Sequence, residues 1–122
     1  MGYDFMLEKA KDLSQVSFPC EHGSFEMEAS TFPWKILQNH LIQNGARENL
    51  DSDSLIWELG EKGYIYITGT DSYVSLDIHA EWSIIHDLFI WLKNKDSNVV
   101  LADINEGVYY DPESFRSLMT TG

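Results

Sequence analysis

The reactive chemistry open to this chain of 122 residues rests on four histidines, one cysteine and 20 carboxylates. Cys20 and His22 stand two apart in FPCEHG, which invites a Cys–His dyad. A reactive thiol needs an electropositive setting, and Glu21 between them works against one. Structural zinc needs four ligands, usually in two pairs. No second Cys pair and no HExxH accompanies Cys20 and His22, so no metal is expected. Asp77 and His79 alternate along one expected strand, share a face and could pair with each other. His86 follows across a strand–helix junction. Asp51 and Asp53 form a DxD pair, but Leu55 and Ile56 stand around the place where a calcium loop needs glycine. A turn role is the simpler reading. No GxSxG elbow, P-loop or GxGxxG occurs, and Gly60, Gly63 and Gly69 fall in turns. The expectation is no catalytic residue, no metal and no cofactor.

The elements that would carry these residues follow from hydrophobic period. Tyr3, Phe5 and Leu7 alternate with Asp4, Met6 and Glu8, the mark of a strand with one buried face. Residues 9–23 read as a short helical turn and then loop, and 24–29 alternate again as a second strand. Trp34, Leu37 and Leu41 make a helical stripe opened by Ser30 or Thr31 and Pro33 and closed by Gly45. Three β-rich runs, 54–59, 63–68 and 72–79, are joined by GEKG and GTDS and predict an antiparallel meander. Residues 81–95 form a second helix with Trp82, Ile85, Leu88, Phe89 and Leu92 on one face, widened by Ile84, Ile90 and Trp91. Its aromatics read as core. NVVLADI is apolar on both faces, as a central strand requires. VYY follows, and Asp111 and Pro112 start a short terminal helix. The order predicts one α+β domain over 1–122, a two-layer sandwich with two main helices on one face of a mainly antiparallel sheet.

The other sheet face is then left open. Strand parity sends Leu55, Trp57, Ile65, Ile67, Val74, Leu76 and Ile78 inward. Glu58, Tyr64, Tyr66, Tyr73, Asp77 and His79 point outward, joined by Asp4, Glu8, Glu26 and Glu28 from the first two strands. That face is expected to carry six carboxylates, three tyrosines and no lysine or arginine. Tyrosine buries large area at small entropic cost in protein interfaces, and carboxylates of one sign steer a basic partner. The same residues also serve a solvated sheet, through cross-strand pairing and solubility. Net charge is -12, and residues 48–113 alone hold 14 acids against three lysines, so the acidity belongs to the folded body. A nucleic-acid partner is excluded by that balance. No apolar run is long enough for a membrane span, and MGYDFMLE lacks the basic and apolar segments of a secretory signal. The lone Cys20 excludes an intramolecular disulfide, so a reducing compartment, the cytoplasm, is expected.

A small, strongly acidic α+β domain with a tyrosine-bearing sheet, opening MGYDFMLEK and closing NVVLADINEGVYYDPESF, resembles the immunity proteins of bacterial polymorphic toxin and contact-dependent growth inhibition systems. The resemblance is one of overall style and carries over no single residue. It implies a protein without catalysis of its own that binds and neutralises a cognate basic toxin domain, often a nuclease. The partner-binding residues would be Glu26, Glu28, Glu58, Tyr64, Tyr66, Tyr73, Asp77 and His79. Two alternatives stay open at this point. One is a small-molecule-binding or regulatory α+β domain, homodimeric through its open sheet. The other is a minor enzyme using Asp77, His79 or His86.

Overall fold

The computed structural model describes residues 3–49 and 54–121. Its elements run β1 (Tyr3–Lys9), β2 (Cys20–Glu21), α1 (Trp34–Gln43), β3 (Arg47–Glu48), β4 (Ser54–Glu58), β5 (Gly63–Gly69), β6 (Tyr73–Ala80), α2 (Trp82–Lys95), β7 (Val99–Asp103), β8 (Val108–Tyr110) and α3 (Pro112–Thr121). The eight strands make one antiparallel sheet in the order β2-β8-β7-β1-β6-β5-β4-β3. This is the expected α+β class, with an open sheet. The meander β4–β5–β6 forms as its alternation predicts, and β1 slots between β6 and β7 at the centre of the sheet.

One sheet face packs beneath the helices. Phe5 and Leu7 from β1, Leu55 from β4, Ile65 and Ile67 from β5, and Val74, Leu76 and Ile78 from β6 are all at or near zero exposure. They meet Leu37 and Leu41 of α1 and Ile85, Leu88, Phe89 and Leu92 of α2. The terminal helix joins the same layer through Phe115, so three helices cover this face rather than the two main ones expected. Phe115 sits edge-on to Phe5 with centroids 5.4 Å apart, and Trp82 stacks on it at 6.0 Å. Deleting such a buried aromatic costs about 3–5 kcal/mol. Asp111 starts α3 as foreseen. Its carboxylate accepts from the Ser114 backbone N–H at 2.9 Å, and the Ser114 hydroxyl accepts from the Asp111 N–H at 3.1 Å. This reciprocal pair satisfies backbone donors that a bare helix end leaves open. By contrast α1 is capped at Pro33 with no side-chain hydrogen bond, so neither Ser30 nor Thr31 plays the foreseen role. Ile90 is 39% exposed, so α2 is amphipathic rather than packed all round.

Residues 24–29 are the main departure. They alternate as a strand does, yet only one bridge forms, Met27 to Ala10. Residues 11–32 instead form a strap across the far face of the sheet. Its apolar members Leu13, Phe18 and Phe25, with Cys20 of β2, pack on Val100, Ala102 and Tyr109 in a second, smaller core. That packing is why β7 is buried along its whole length on both faces. The strap is tied down by the Glu28 N–H donating to the Lys9 carbonyl at 2.7 Å and the Phe32 N–H donating to the Asp71 carbonyl at 2.8 Å. Ser14 and Gln15 form a turn and no helix.

Candidate functional site

The strap covers only the β8–β7–β1 half of the far face. Among the described residues nothing covers the β6–β5–β4–β3 half, and there the foreseen outward residues of the meander appear. Tyr64, Tyr66 and Tyr73 are 38%, 40% and 40% exposed. Register explains which of them meet. Tyr64 lies opposite both Glu58 and His79, and Tyr66 opposite both Ile56 and Asp77. The Tyr64 ring stacks on His79 with centroids 4.6 Å apart, and Tyr66 meets Tyr64 edge-on at 5.3 Å. His79 Nε2 is 3.0 Å from Asp77 Oδ1. Gly63 makes the tight entry to this patch. Its φ is +110° and a β-carbon there would collide with the His79 carbonyl, so only glycine fits. The result is a packed aromatic cluster, held by its neighbours before any partner arrives. A depression of about 440 Å³ lies beside it, lined by Ile56, Glu58, Tyr64 and Tyr66.

Tyr73 shares the face but not the cluster. It pairs with Glu8 at the other end of β6, six residues from His79, about 20 Å along the strand. Glu26 and Glu28 belong to the strap and not to a sheet strand, correcting the expected second strand. Glu26 is 3.5 Å from Lys11 across an exposed ion pair. Glu28 accepts from the Ser30 N–H and hydroxyl at 3.1 and 2.8 Å, which holds its carboxyl below the usual range.

The face is also not free of cations. Arg47, in the two-residue strand β3, lies opposite Ile56 and its guanidinium pairs with Glu58. The row across the sheet thus reads Arg47, Ile56, Tyr66, Asp77, Asp4. Three carboxylates stand against one guanidinium in this patch, with Asp4 directly opposite Asp77. The local field is negative but weaker than strand parity alone implied.

The other reactive residues do not gather. His86 lies on the helix side, where its Nε2–H donates to the Pro112 carbonyl at 3.2 Å and ties α2 to α3, so it cannot work with Asp77 and His79. Burial pushes the Cys20 thiol upward, away from thiolate. His22 turns to Tyr109, its Nδ1 3.2 Å from the phenol oxygen. Asp103 is buried yet saturated. It accepts from Tyr3 OH at 2.7 Å and from the backbone N–H groups of Asn105 and Glu106 at 3.0 and 3.2 Å, closing the β7–β8 turn. The Tyr3 phenol is pushed up to about 12, first by its hydrogen bond to that carboxylate and then by burial. Asp51 and Asp53 lie outside the described residues.

Sequence reasoning did not foresee a second concavity, at the edge of the strap. Met6, Glu8, His22, Ala102, Asp103, Ile104, Gly107 and Tyr109 line a cleft of about 190 Å³, the Asp103 carboxylate being already engaged by Tyr3 and the β7–β8 turn. Its parts come from β1, the strap, β7 and β8, up to 103 positions apart in the chain, so no local spacing announces it. The one available signal was the apolar content of 13–25, with Leu13, Phe18 and Phe25, too rich for a solvated loop. Among the described residues no helix is long and apolar enough to cross a membrane. Comparisons with protein-family models, curated proteins and solved structures return no match.

Proposed function

We propose that this protein acts by binding rather than turnover, as an immunity-type inhibitor in the cytoplasm that neutralises a basic toxin domain through the uncovered half of its sheet. The observation that carries this reading is the Tyr64–Tyr66–His79 cluster, its two tyrosines exposed and its histidine half-buried, mutually packed and flanked by Asp4, Glu58 and Asp77. Solvated tyrosines held in one arrangement lose little entropy on binding, so their burial goes into affinity. Carboxylates around them suit arginine and lysine, and the overall charge of -12 speeds encounter with a cationic surface. A nuclease must present cations to phosphate, so an acidic inhibitor can occupy the same ground. Of the residues foreseen for the contact, Tyr64, Tyr66, Asp77, His79 and Glu58 form one patch. Tyr73, Glu26 and Glu28 would serve only a partner wide enough to reach the strap.

The test takes a basic toxin domain, sought first in the neighbouring reading frame, and measures complex formation by titration calorimetry and stopped flow. A one-to-one complex is expected. Tyr64→Ala with Tyr66→Ala should weaken it by about 100-fold or more, the scale of interface anchors. Charge reversal of Glu58 and Asp77 together should slow association, most at low salt. Unaltered affinity and kinetics in these variants would refute the reading, as would a dimer that persists on dilution and buries this face.

A further inference from the structure

Beside the open patch, on the same sheet face, the cleft at the edge of the strap offers a more selective contact. We propose that it receives one cationic side chain, lysine or arginine, projected by the protein that the open half binds; this rests on the binding reading above. The cleft has the parts such a side chain needs. Met6 and Ala102 lie opposite each other on β1 and β7 and give an apolar surface for a methylene stem. Ile104, 47% exposed, stands among the lining residues. Glu8 supplies the carboxylate, and among the described residues nothing donates a hydrogen bond to it. Tyr109 adds a phenol oxygen, shared with His22.

Competing occupants fit less well. An anion would face Glu8. An apolar side chain would strip water from the Glu8 carboxylate and return no donor. Partial burial already pushes that carboxyl upward, with His22 pulling the other way, and burial pushes the Tyr109 phenol upward, keeping it neutral. An under-solvated carboxylate gains most from a charged donor. Position argues for a protein-borne cation. Glu8 lies opposite Tyr73, and Met6 opposite Ser75, one strand spacing of about 5 Å from β6. A partner wide enough to span β6 from His79 to Tyr73 therefore has the cleft within reach of one long side chain.

The experiment is an NMR titration of the full chain with Nα-acetyl-lysine methylamide, with the uncharged norleucine analogue as control. Saturable shifts are expected at the Met6 and Ala102 methyls and the Gly107 amide, for the lysine compound only. Glu8→Gln should weaken uptake about tenfold or more, while Lys35→Ala, on the exposed side of α1, leaves it unchanged. No saturable shift, equal uptake of the norleucine analogue, or uptake unaffected by Glu8→Gln would overturn the proposal, and the control compound decides even if the variant misfolds. The two readings fail separately. Lysine uptake without any protein complex removes the inhibitor function and keeps the cleft. A complex with the basic domain, without lysine uptake, does the reverse.

Discussion

One face of one sheet is finished in two ways, and a single row of side chains shows where it changes. Reading across from β4 to β2, the row runs Ser54, Thr68, Ser75, Met6, Ala102, Tyr109, Cys20. Polar side chains give way to apolar ones at β1, the strand where the strap begins. On the apolar side Phe18 and Phe25 cover what would otherwise be an exposed greasy patch. On the polar side tyrosine, serine, threonine and carboxylate need no cover, because water satisfies their polar ends. The difference teaches that the open half is uncovered by composition and not by a missing element. Residue type alone separates the half that the strap covers from the half that it leaves open.

Substitutions can break that contrast in order of size. Val100→Asp puts a charge at zero exposure under the strap and should cost at least about 3 kcal/mol, enough to unfold much of the population in a urea melt. Phe25→Ala removes a ring 5.0 Å from that of Tyr109 and should cost about 1–2 kcal/mol. Hydrogen exchange of residues 11–29 should quicken in this variant, while β5 stays protected. Glu8→Gln should raise stability near neutral pH by less than either of these changes, since the buried margin disfavours the charge. Because the folded carboxyl titrates above its unfolded value, its favourable contribution is whole below the unfolded value and fades as pH rises through the folded one. The variant should lose that part of the pH dependence, and an unchanged profile would contradict the assignment. Thr68→Asp, on the open half, should change stability by under about 0.5 kcal/mol, and a larger loss would mean that the two halves are less distinct than their composition.

Much of this was legible in the chain itself, and what was not has definite physical causes. The meander and β1 were readable because each has one buried face, so alternation and burial coincide. Alternation at 24–29 was equally real. Phe25 packs inward and Glu26 outward there, but apart from the single bridge to Ala10 residues 24–29 stay out of the sheet's ladder, and period alone cannot separate the two. Arg47 escaped because a two-residue strand has no period to detect, and with it went the cation that neutralises Glu58. The cleft at the edge of the strap was invisible for a different reason. Glu8, His22 and Tyr109 are brought together only by strand order, and β1 taking the central place between β6 and β7 is a tertiary choice. The cluster of Tyr64, Tyr66, Asp77 and His79 was legible because it lies within one hairpin, where neighbours in sequence are neighbours in space.

Both outermost strands, β2 and β3, are only two residues long. Little unpaired backbone is offered at either margin, so another chain has no template along which to extend the ladder. Stacking into filaments by strand addition is disfavoured by the same economy. Contacts on the broad side of the sheet are instead made by side chains, which can change one residue at a time without disturbing the backbone beneath.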